Sequence, residues 1–209
     1  MVVGTLETVY LVSSRLKKSF EAFFASRITK LSSIGLTPNS LTVLGVLSSA
    51  FAALLYASWR MSRIALPAAG ALVLLSGFMD ALDGVLARSS NKSSAFGGFL
   101  DSVSDRYSDS VVLASIVLAG LCDPAWGLVA IIGSLMVSYT RSRAEAADVS
   151  MASVGFAERA ERMLILAAVT FLAFFWFDFL GWGVILIGVV AHITVLQRTF
   201  HFYNSVKRV

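Results

Sequence analysis

The sequence predicts an all-α integral membrane protein, with six transmembrane helices preceded by an amphipathic helix lying at the bilayer surface. Three observations carry this reading. Of the 209 residues, 57% are hydrophobic and 14% charged, where a soluble domain would be about a quarter charged. Six apolar stretches each approach the roughly 20 residues that a spanning helix needs. Lysine and arginine gather in alternate connections, fifteen of the seventeen lying in the N-terminal segment, the second-to-third and fourth-to-fifth connections with their helix ends, and the C-terminus. Arg60 and Arg63, in the short first connection, are the other two. That asymmetry places both termini on the cytoplasmic side of the cell membrane. A single membrane domain over 1–209 accounts for the length. The net charge of +4 suits a bilayer and anionic lipid or phosphate partners, with no nucleic acid expected. One cysteine, Cys122, leaves no internal disulfide and no zinc site.

Residues 5–31 show helical periodicity. Leu6, Val9, Leu16, Phe20, Phe23, Ile28 and Leu31 can share a face opposite Lys17, Lys18 and Glu21, as in an interfacial helix. The first span, 41–59, is free of charge until its end and follows Thr37-Pro38-Asn39-Ser40, a helix-start signal. The second covers 64–88 and the third 96–121. The uncharged part of the third, Ser110–Cys122, is too short to cross alone. Asp101, Asp105, Arg106 and Asp109 must therefore lie within the spanning helix and face protein or water. Asp109 is expected to pair with Arg106, one turn away. The remaining spans are 124–143, 158–178 and 181–203. Phe171–Phe179 and Trp182 read as an aromatic belt at the outer interface, and His192 as a polar group in mid-span.

The acids repeat at helical spacing. Asp80, Asp83, Gly84, Ala87 and Arg88 form one stripe on the second span, and Gly97, Asp101 and Asp105 a second stripe on the third. The loop between these helices is short, so the stripes can face each other across an antiparallel pair. Four converging carboxylates repel strongly, and protonation or a divalent cation must relieve them. Oxygen ligands without histidine or cysteine point to Mg²⁺ or Mn²⁺. Gly84, Ala87 and Gly97 leave room for a ligand, and Arg88 sets a guanidinium fork at the mouth. A cation or proton pathway is the alternative reading, but it requires neither the small residues nor Arg88 at this spacing.

The pattern D-x2-D-G-x2-A-R-x8-G-x3-D-x3-D, met from Asp80 to Asp105, resembles the signature of the CDP-alcohol phosphotransferases, integral membrane enzymes of phospholipid synthesis that are commonly homodimeric. The resemblance extends to the six spans, the preceding amphipathic helix and Thr-Pro-Asn at the first span. It implies two divalent cations on Asp80, Asp83, Asp101 and Asp105, a CDP-linked lipid bound along Asn39, Asp83, Gly84, Ala87, Arg88 and Gly97, and Asp105 as acceptor of the incoming hydroxyl's proton. CMP would leave.

A second cluster bears on the acceptor. Arg141, Arg159 and Arg198 come from three helices at the cytoplasmic face and can converge on a dianionic phosphate. Arg143 and Arg162 read equally well as positive-inside anchors. Within the family, "SYTRSRAE", "GFAERAER" and Gln197-Arg198 resemble the phosphatidylinositol-phosphate and archaetidylinositol-phosphate synthases, which implies L-myo-inositol 1-phosphate as acceptor. Lysine is frequent at the position of Arg141 in bacterial relatives. Glycerol 3-phosphate, which also needs a phosphate clamp, is the runner-up. The lipid is CDP-diacylglycerol or CDP-archaeol.

Overall fold

A computed structural model describes residues 36–89, 94–152 and 154–207. The interfacial helix expected over 5–31 lies outside the described residues. Six helices follow in order: α1 (Pro38–Ala57), α2 (Ala65–Ser89), α3 (Ala95–Leu118), α4 (Pro124–Glu145), α5 (Arg159–Ala173) and α6 (Asp178–Val206). No strand occurs among the described residues.

Local chemistry sets the starts. Thr37 and Ser40 close a reciprocal capping box, Ser40 N donating to Thr37 Oγ1 at 3.2 Å and Thr37 N to Ser40 Oγ at 3.0 Å, with Pro38 in the first turn of α1. Ser94 Oγ accepts from Gly97 N at 3.0 Å to start α3. Asp123 Oδ1 accepts from Ala125 N at 2.9 Å to start α4, where Pro124 needs no partner.

Each helix packs chiefly against two others, and the contacts close a ring in the order α1, α2, α5, α6, α4, α3. The core of this ring is apolar, with Tyr56, Leu66, Ile116, Leu180 and Ile187 all but fully buried. Two polar pairs inside it join different helices. Tyr56 Oη donates to Thr170 Oγ1 at 2.6 Å, because the Thr170 hydroxyl itself donates to Leu166 O. Ser49 Oγ meets Ser76 Oγ at 2.8 Å. The outer faces are apolar as well: Leu186, Val189, Ile193, Leu196 and Phe200 form an exposed stripe along α6, a surface fit for lipid and not for water. Among the described residues α1, α2 and α6 are long and apolar enough to cross a membrane.

Two expectations change. The α2 and α3 helices are less a directly packed pair than two partners of α1, which lies along both. The fifth helix has 15 residues, about 22 Å of rise, where the sequence predicted 158–178. It ends at Ala173 in tight bonds from Phe174 N to Phe171 O and Phe175 N to Leu172 O. Phe177, just beyond, stacks on Trp59 with ring centroids 4.8 Å apart, and the Arg63 guanidinium lies 4.8 Å over its face. His192 bonds within its own helix, to Gly188 O at 3.0 Å.

Candidate functional site

One small cavity at the acidic end joins four helices: Thr42 of α1, Asp80 and Asp83 of α2, Asp105 of α3 and Arg159 at the start of α5 all line it. Asp80, Asp101 and Asp105 each bring a carboxylate oxygen within 4.8 Å of the others. Asp101 Oδ1 is buried and has no hydrogen-bond partner, a costly condition for an oxygen that nothing is meant to bind. Three carboxylates at this spacing, one of them with a buried and unpartnered oxygen, fit a hard divalent cation such as Mg²⁺ or Mn²⁺.

Asp83 stands outside that tight group. It is 5% exposed, and its Oδ2 accepts from Thr42 Oγ1 at 2.7 Å. The backbone end of the site is equally close-fitted. A methyl on Gly97 would lie 3.2 Å from Asn39 Oδ1, so α3 and the first turn of α1 meet there. At Gly84 the same atom would stand 3.3 Å from the Arg88 guanidinium, which folds over the bare backbone. Arg88 is exposed at the end of α2, and Ala87 is half-buried beside it.

Each of the three arginines has protein partners of its own. Arg159 enters the acidic cavity, its Nη1 2.9 Å from both Asp80 Oδ2 and Asp105 Oδ1; these are ion pairs without aligned hydrogen bonds. Its Nε donates to Asp109 Oδ1 at 3.3 Å. Arg198 is 2% exposed and turned to protein: Nε donates to Val154 O at 2.9 Å, Nη1 to Val137 O at 2.6 Å, and Nη2 lies 3.5 Å from Glu158 Oε1. Arg141 is about half exposed and pairs with Glu145 at 2.9 Å. Arg143 and Arg198, not Arg141, line an open pocket between α4 and α6.

Asp109 is corrected too. Both its oxygens go to α5, one to Arg159 and the other to Arg162 Nη2 at 3.2 Å, while Arg106 donates to Ser102 O in its own helix. Arg162 is 4% exposed and also holds Ala157 O at 2.9 Å. The sequence missed a further set: Phe156 N donates to Gln197 Oε1 at 3.2 Å and Ala157 N to Thr194 Oγ1 at 3.1 Å. With Arg198 these tie the segment before α5 onto α6 and so fix where Arg159 begins. Gly155, at φ +117°, was the available signal for a special turn there.

Comparison with known proteins identifies relatives over most of the chain. The sequence profile of the CDP-alcohol phosphatidyltransferase family matches residues 35–196. The archaetidylinositol phosphate synthase of Pyrococcus horikoshii is 42% identical over 81% of this chain and 85% of its own length. The phosphatidylinositol phosphate synthase of Mycobacterium tuberculosis, solved with CDP-DAG bound, is 29% identical with a TM-score of 0.74, over 86% of this chain and 92% of that one. The same enzyme in complex with manganese and citrate is 30% identical with a TM-score of 0.73, over 86% of this chain and 88% of that one.

Proposed function

The chain belongs to the CDP-alcohol phosphatidyltransferase family, and from that premise we propose that it transfers the lipid phosphate of a CDP-linked lipid to L-myo-inositol 1-phosphate. The observation that carries the acceptor is the likeness to the Pyrococcus synthase over most of both chains. Family membership sets aside the transporter reading.

The acceptor hydroxyl attacks the lipid-side phosphorus, the bond from that phosphorus to the CMP oxygen breaks, and the hydroxyl proton passes to Asp105. Asp105 is in the right company for this role, within the shared oxygen group and beside a guanidinium. When bound, Mg²⁺ or Mn²⁺ on Asp80, Asp83, Asp101 and Asp105 supplies neutralisation of the diphosphate and of the charge left on CMP. Thr42 orients Asp83. The cytidine end is assigned to Asn39, Gly84, Ala87, Arg88 and Gly97, where the Gly97 backbone meets Asn39 and the Arg88 guanidinium lies over Gly84.

Arg141, Arg159 and Arg198 are assigned to the acceptor's phosphate, in unequal parts. Arg159 comes first because it stands beside Asp105. Arg198 already makes three protein contacts and serves chiefly to hold the segment that presents Arg159. The acidic cavity and both termini face the cytoplasm, as the lysine and arginine distribution indicates.

Parallel assays test the acceptor. CMP release from CDP-archaeol and from CDP-diacylglycerol is measured with inositol 1-phosphate, free inositol or glycerol 3-phosphate, each with Mg²⁺ or Mn²⁺. Inositol 1-phosphate should give the fastest turnover; faster release with glycerol 3-phosphate reassigns the enzyme to that acceptor.

A further inference from the structure

Arg159 occupies a place that a cation also needs. Its Nη1 is 2.9 Å from Asp80 and from Asp105, two of the three residues whose oxygens lie within 4.8 Å of one another. A guanidinium there and a divalent cation on the same oxygens would stand within a few ångströms, where like charges repel strongly in a partly desolvated site.

We propose that Arg159 competes with the divalent cation for Asp80 and Asp105, and that cation loading turns its guanidinium out of the acidic cleft towards the acceptor's phosphate. The second half rests on the acceptor reading above. Asp109 makes the turn feasible. It lies outside the shared oxygen group, and it holds Arg159 through Nε, the nitrogen nearest the aliphatic stem. Its other oxygen is fixed by Arg162, itself buried and bonded to Ala157 O. Asp109 is thus a pivot, a positioning residue that keeps the stem in place while the Nη end changes partner. The consequence is linkage: cation binding strengthens phosphate binding, and phosphate binding strengthens cation binding by the same factor.

The test begins without substrates. Mn²⁺ is titrated into the purified full chain in detergent, and free Mn²⁺ is read by electron paramagnetic resonance. Arg159→Gln should bind Mn²⁺ at least roughly fivefold more tightly than wild type, the lower end of a site-to-site coupling. Arg106→Gln removes a positive charge next to Asp105 without touching the cleft and should change affinity by less than about twofold. Equal affinity in Arg159→Gln and wild type overturns the competition, as does an equal gain in Arg106→Gln. If Arg159→Gln is not monodisperse, Arg159→Lys decides. Its single ammonium cannot hold Asp109 and the acid pair together, so it too should bind Mn²⁺ more tightly, and wild-type affinity overturns the competition. A second arm measures inositol 1-phosphate binding with and without Mn²⁺. Wild type should gain roughly fivefold or more from Mn²⁺, and Arg159→Gln should lose most of that gain. Absence of the gain in wild type overturns the phosphate half, while the acceptor reading is decided by the CMP-release assays and the Mn²⁺ titration stands independently.

Discussion

Asp83 and Asp101 belong to one signature and are held in opposite ways. Asp83 is buried, and the Thr42 hydroxyl 2.7 Å away gives its carboxylate a donor. Asp101 keeps a buried oxygen free. A carboxylate stripped of water depends on its few remaining donors, so Thr42 matters beyond its size. Thr42→Val, nearly isosteric, should lower stability by about 1.5–3 kcal/mol, the worth of a hydrogen bond to a charged group, and Thr42→Ser should retain most of it. Thermal unfolding in detergent measures this; a Thr42→Val protein that melts with wild type would show that Asp83 does not rely on the hydroxyl. The four aspartates were legible in the sequence because their spacings fall within single helices, where geometry is fixed by the 3.6-residue turn. The partners of Asp109 and Asp83 were not. Arg159 lies fifty positions from Asp109, and Thr42 forty-one from Asp83, and helical periodicity carries no information over such distances.

The connection from α4 to α5 shows how an element can be set by its neighbour. Asp148 takes a positive φ of 55° beyond the end of α4, and Val149 N returns to Ala144 O at 3.0 Å. The chain then crosses to α6, where Thr194, Gln197 and Arg198 bind it. Gly155 is the tight point. Its φ of +117° suits glycine, and a methyl there would collide with the Thr194 Cγ2. Gly155→Ala should therefore cost about 1–3 kcal/mol for the backbone alone, with the collision adding to it. Adding Thr194→Ser removes the methyl yet leaves the hydroxyl that accepts from Ala157 N, so the double variant should be more stable than Gly155→Ala and less stable than wild type. Unfolding midpoints order the three; full recovery would mean that backbone conformation costs nothing here. Gln197-Arg198 was readable as polar and functional, while the backbone groups that the pair holds were not. Arginine near a helix end looks the same in sequence whichever carbonyl it meets, and only the fold shows that Arg198 reaches Val137 O and Val154 O.

Six apolar stretches match the six helices among the described residues, and their order around the ring came from elsewhere. The sequence favoured α2 beside α3, whereas α1 lies along both, and α5 closes the ring between α2 and α6. This arrangement explains why the acid cavity draws on α1 and α5 as well as on the two signature helices. It also explains the early end of α5: the aromatic run after Ala173 carries no glycine or proline, yet Phe177 is captured by Trp59 and Arg63 from the connection after α1. Within the bundle, α1 and α5 touch through Tyr56 and Thr170, both wholly buried. Hydrogen bonds between membrane helices are weaker than their dry surroundings suggest, because the separated helices find other partners, and measured couplings average about 0.6 kcal/mol with a maximum near 1.7. Here Thr170 already donates to Leu166 O, so removing Tyr56 Oη leaves no buried donor unpaired, and removing the Thr170 hydroxyl strands only the phenol. A cycle of Tyr56→Phe, Thr170→Val and both together should thus give a coupling of about 0.5–1.5 kcal/mol, with Thr170→Val the costlier single change. Coupling near zero would mean that apolar packing alone joins α5 to α1, and Arg159 would then take its position from the α6 strap and Asp109.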